Sequence, residues 1–72
     1  MSELKQSAAE VAAAMQSGEL SPAVRAQFIA VRDALYRRGV YDPVLVRFDS
    51  ATAPRASVAE VAQQLATIAE SL

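Results

Sequence analysis

Between Ser21 and Gly39 the sequence marks both ends of one helix, and that bracket constrains everything around it. Ser21 is an N-cap residue type, whose hydroxyl accepts a backbone N–H of the first turn. Pro22, at the first helical position, gives up a donor that has no partner there in any case. At the far end Arg37 and Arg38 put cations where the helix dipole favours them, and Gly39 supplies the left-handed residue that commonly follows a helix. Inside the bracket Val24, Phe28, Val31 and Leu35 make one apolar stripe, while Ile29 and Tyr36 fall on a neighbouring face with Arg25 and Arg32. A helix that is apolar on more than one side needs cover, which predicts that this one is the central element of the fold.

The elements available to cover it also read as helices. Leu4, Ala8, Val11 and Met15 recur at helical spacing and predict a helix from Ser2 or Glu3 to about Gln16, stopped by Ser17-Gly18. Its many alanines give strong helix propensity and a thin apolar face. Near the C-terminus Val58, Val61, Leu65, Ile68 and Leu72 share a face behind Ser57-x-x-Glu60, a capping-box pattern, with Gln63, Gln64, Thr67 and Glu70 turned to water. Val44-Leu45-Val46-Arg47-Phe48 has strand-like composition, but Asp42-Pro43 is a good helix start and a lone strand has nothing to pair with. A short helix is expected there, followed by a loop over 50–56 around Pro54.

The expected fold is therefore all-α, a single domain over 1–72. Three main helices (about 3–16, 22–38 and 58–71) and a short helix (about 43–49) form a small bundle. One internal echo accompanies it: Ser7-Ala8-Ala9-Glu10-Val11-Ala12 and Ser57-Val58-Ala59-Glu60-Val61-Ala62 agree at five of six positions. Any amphipathic helix start tends toward this pattern, so the echo is not by itself a duplicated unit.

The side-chain inventory narrows the chemistry. There is no Cys and no His, which removes disulfides, thiolates and the commonest zinc, haem and iron–sulfur ligands. The carboxylates mostly fall at helix ends, one Lys is present, and the two glycines make no phosphate-cradling loop. No enzyme, cofactor or metal site is expected. The N-terminus shows no basic region followed by an apolar stretch, and no apolar run reaches the roughly 18–20 residues of a membrane span, so a cytoplasmic protein is expected.

Charge is distributed unevenly. From Leu20 to Arg55 six arginines face three aspartates, a sum of +3, and the flanks carry one Lys against five Glu, a sum of −4. This split either lets acidic terminal helices lie on a basic centre or presents a basic face to an anionic partner. Arg32, Tyr36, Arg37, Arg38, Tyr41, Arg47 and Phe48 lie close together in sequence, and Tyr and Arg are enriched at binding hot spots. These seven residues are the expected protein-binding site of an interaction module: an adaptor or accessory subunit that docks on a larger protein or forms a homodimer. The alternative is a helix-turn-helix-like nucleic-acid binder built on the 22–38 helix, the Gly39 turn and the short helix. Against it stand an acidic whole chain and a recognition helix offering one base-reading side chain.

Overall fold

The computed structural model describes residues 3–72, and among these residues four helices and no strand are found. They are α1 (Glu3–Met15), α2 (Pro22–Arg37), α3 (Pro43–Arg47) and α4 (Arg55–Ser71). The all-α bundle of three main helices and one short one is thus the fold adopted. A helix start at Ser2 lies outside the described residues.

The closest and most extensive backbone approach is between α1 and α4, with α2 lying on α1 and α3 on α4. Helix 2 is therefore not the centre of the bundle, as its two apolar faces led one to expect. The reason is residue size. Ala8 and Ala12 on α1 and Ala62 and Ala69 on α4 are all buried, and small side chains let two helix backbones approach closely. The thin apolar face of α1 is thus what makes it a tight partner.

Helices α1 and α4 run antiparallel, since Gly18 after α1 abuts Arg55 at the start of α4, while Lys5 borders the same groove as Ala69 and Glu70. The internal echo falls on this seam. Ala8, Val11, Ala12 and Met15 are buried, and so are Val58, Val61, Ala62 and Leu65, each fifty positions on. Two similar faces therefore supply both sides of the main helix contact. Phe28, Leu35 and Leu45 complete the fully buried set of large side chains.

Helix 2 ends as its sequence dictates. Ser21 accepts from the Val24 N–H at 3.3 Å. Beyond Arg37, Gly39 takes φ +82° and donates to the Tyr36 carbonyl, while Val40 donates to the Leu35 carbonyl at 2.9 Å. This is a Schellman ending, and it folds the half-buried Val40 back toward the core.

Two boundaries differ from expectation for local reasons. The short helix stops at Arg47 rather than Asp49, because Phe48 adopts an extended conformation and turns its ring into the core. Asp49 then begins a turn in which its carboxylate accepts from Ala51 N–H at 2.9 Å. Helix 4 starts at Arg55, three residues before the expected start. Pro54 restricts only what precedes it; its own carbonyl accepts from Ser57 and Val58, so the residue read as a breaker is the N-cap. Ser57 is consequently inside the helix, and no side chain caps α4.

Candidate protein-interaction surface

The corner between α2 and α3 is built on Asp42. Its Oδ1 accepts from the Val44 N–H at 2.9 Å and so caps α3, and its Oδ2 accepts from the Gln64 side chain of α4 at 2.6 Å. One carboxylate therefore starts α3 and fastens it to α4. Gln64, expected to face water, is half-buried because it makes this bond.

The seven residues singled out from sequence separate into four environments. Phe48 is 8% exposed and packs edge-on against Phe28, with ring centroids 5.2 Å apart and planes at 80°. It belongs to the core and offers only an edge to the surface. Arg32 is half-buried; its guanidinium lies 5.5 Å from the Phe28 ring centre and donates to the Phe48 carbonyl at 3.3 Å. That geometry makes it a latch between α2 and the chain leaving α3. Its Nε is buried without a hydrogen-bond partner, as is that of Arg25 on the same face of α2.

Tyr36 and Tyr41 stay together, next to Arg37 and Arg38 in the chain. The two tyrosine rings stack with centroids 5.2 Å apart and an angle of 22°, Tyr36 half-buried beneath and Tyr41 65% exposed above. Arg37 and Arg38, both exposed, follow Tyr36 directly at the end of α2. Arg47 belongs to a different place. Its Nε donates to the Pro43 carbonyl at 3.3 Å, and it borders a cleft of about 300 Å³ between α3 and the start of α4, shared with Val44, Phe48, Ser57, Glu60 and Val61.

The charge asymmetry is not consumed within the chain. Arg55 pairs with Glu19 at 3.1 Å, and both side chains are largely exposed. Among the described residues, Arg25, Arg32, Arg37, Arg38 and Arg47 have no carboxylate within ion-pair distance, and Asp33, one turn before Arg37, is not engaged with it. The other two aspartates of this stretch are held by backbone: Asp42 by α3 and Asp49 by its turn. Helix and turn capping has occupied two of the three aspartates of the basic stretch.

Sequence reasoning did not count Val46, 52% accessible on α3, or Ile29, 36% accessible on α2, among the site residues. Ile29 and Tyr36 are seven residues apart on one helix face, a signal that was present. Among the described residues no group of three or more His, Cys, Asp or Glu side chains is placed to hold a metal ion, and no helix is long and apolar enough to cross a membrane. No family model matches the chain, and no curated protein and no solved structure matches it either.

Proposed function

We propose that this chain is a non-enzymatic protein-interaction module, an adaptor or accessory subunit that docks on a larger protein or on a second copy through the α2–α3 corner. The observation that carries the reading is the Tyr36–Tyr41 stack. An aromatic ring held 65% exposed on a second ring, beside two exposed arginines without carboxylate partners, is a rigid anchor set in a basic rim. Tyr presents large amphipathic area with little side-chain entropy to lose on binding. The nucleic-acid alternative draws less support. A five-residue α3 is about a turn and a half of helix, too short to lay successive side chains along a major groove.

A photo-crosslinking residue in place of Tyr41, compared with one in place of Gln6 on exposed α1, tests the reading directly. Covalent capture of one protein, or of a second copy, from the Tyr41 position and not from Gln6 is the expected result. Identical labelling from both positions, together with a monomeric mass by sedimentation, would overturn it.

A further inference from the structure

We infer that the segment seated on the Tyr36–Tyr41 platform is acidic and carries an apolar anchor, so that its carboxylates meet Arg37 and Arg38 while its apolar side chain lies on the Tyr41 ring. The inference rests on the interaction role proposed above and narrows it to a partner chemistry.

Charge complementarity carries it. Within the basic stretch two of the three aspartates, Asp42 and Asp49, are already bound to backbone N–H groups, and the third, Asp33, is exposed and makes no ion pair with Arg37. The guanidinium groups of Arg37 and Arg38 are exposed, and among the described residues no carboxylate is paired with them. Guanidinium groups match carboxylates in planar two-donor geometry, so a partner supplying carboxylates gains orientation as well as attraction. The apolar part of the platform selects against a purely ionic partner. Tyr41 and Ile29 expose apolar area at either end of the face that Tyr36 occupies on α2, and an acidic chain with no apolar side chain would leave that area wet. A protein segment fits better than a nucleic-acid duplex because α3, beside this platform, has five residues and is too short to lay successive side chains along a major groove.

The chain itself provides the reporter, since it has two tyrosines and no tryptophan, and both tyrosines are in the stack. Tyrosine emission of the intact protein is followed against a short helical peptide of Glu and Leu, the same peptide with Gln for Glu, and an oligothymidylate. The acidic peptide is expected to perturb the emission, to weaken with added salt, and to bind about tenfold or more tighter than the Gln peptide. Arg37→Glu with Arg38→Glu should lose about tenfold or more of that affinity, and Arg37→Gln with Arg38→Gln a smaller part, with helical circular dichroism unchanged. Equal binding of the two peptides, or of the charge-reversed variant, overturns the inference. Tighter binding of oligothymidylate than of the acidic peptide moves the surface to nucleic acid and overturns it also. Crosslinking that depends on Tyr41 but not on Arg37 and Arg38 leaves the interaction role standing and removes the acidic partner.

Discussion

Gly18 and Gly39 have nearly the same backbone, φ +85° and +82°, but different surroundings. A side chain at either position meets the left-handed penalty, about 1–2 kcal/mol for an ordinary residue. At Gly39 that is all it meets, since a Cβ there has nothing within 4 Å. At Gly18 it would lie 3.1 Å from both the Cβ and the carbonyl oxygen of Arg55, where α1 and α4 close on each other, and backbone does not move aside cheaply. Gly39→Ala should therefore cost about 1–2 kcal/mol and Gly18→Ala about 2–4 kcal/mol, the excess being overpacking. Urea unfolding of the two variants decides the order, and a Gly39→Ala cost equal to or above that of Gly18→Ala would contradict the α1–α4 contact described. A sequence shows that two glycines end two helices; it does not show which of them has a neighbour.

Each helix start tests a different reading of capping. Ser21 makes a side-chain bond to the backbone N–H of Val24, so Ser21→Ala should destabilise by about 1 kcal/mol. Ser57, which in sequence looks like an equally good cap, lies in the third position of α4, so Ser57→Ala should stay within about 0.5 kcal/mol of the parent in the same unfolding measurement. Asp42 should behave unlike either, because its removal uncaps α3 and leaves the half-buried Gln64 amide without its acceptor; about 2 kcal/mol is expected for Asp42→Ala. A double-mutant cycle with Gln64→Ala isolates the second contribution, and a coupling indistinguishable from zero would dissolve the proposed tie between α3 and α4. The three long helices were legible because their apolar residues repeat with the helical period over three or more turns. Their starts were less so. Ser-x-x-Glu describes a local possibility, whereas the start of α4 was decided by Pro54, whose φ of −71° and carbonyl, accepting from Ser57 and Val58, suit an N-cap. The same limit governs the candidate site. Tyr36 and Tyr41 are five residues apart, a spacing that brings no two helical side chains together, and they stack only because the Gly39 ending reverses the chain between them. Phe48 and Arg32 were read as surface from their neighbours in sequence, but Phe28 draws one into the core and holds the other above it.

Those contacts are few, which sets the stability of the whole. A chain of 7.7 kDa has a surface of 4475 Å², close to the roughly 4300 Å² that scaling gives for a compact monomer of this mass. Its packing is thus complete for its size, but at this size burial exceeds conformational entropy by little, and the chain has no Cys for a disulfide. Typical densities of about 0.05–0.15 kcal/mol per residue put the total at about 4–11 kcal/mol. The fully buried large side chains are Phe28, Met15, Leu35, Leu45 and Leu65, and Leu65 sits on the α4 side of the main seam, at the position that echoes Met15. Leu65→Ala removes transfer energy and leaves a cavity that a close-packed helix pair cannot collapse, for a loss of about 2–5 kcal/mol. That is a large fraction of the total, so a broad or strongly lowered thermal transition is expected. Tyr41→Ala and Ile29→Ala, at exposed positions, should melt within a few degrees of the parent. This separation makes the binding experiments interpretable, since the residues assigned to the partner are not those that hold the bundle together. Were Tyr41→Ala to unfold the chain as Leu65→Ala does, the stacked pair would be core rather than surface, and the interaction role would lose the observation on which it stands.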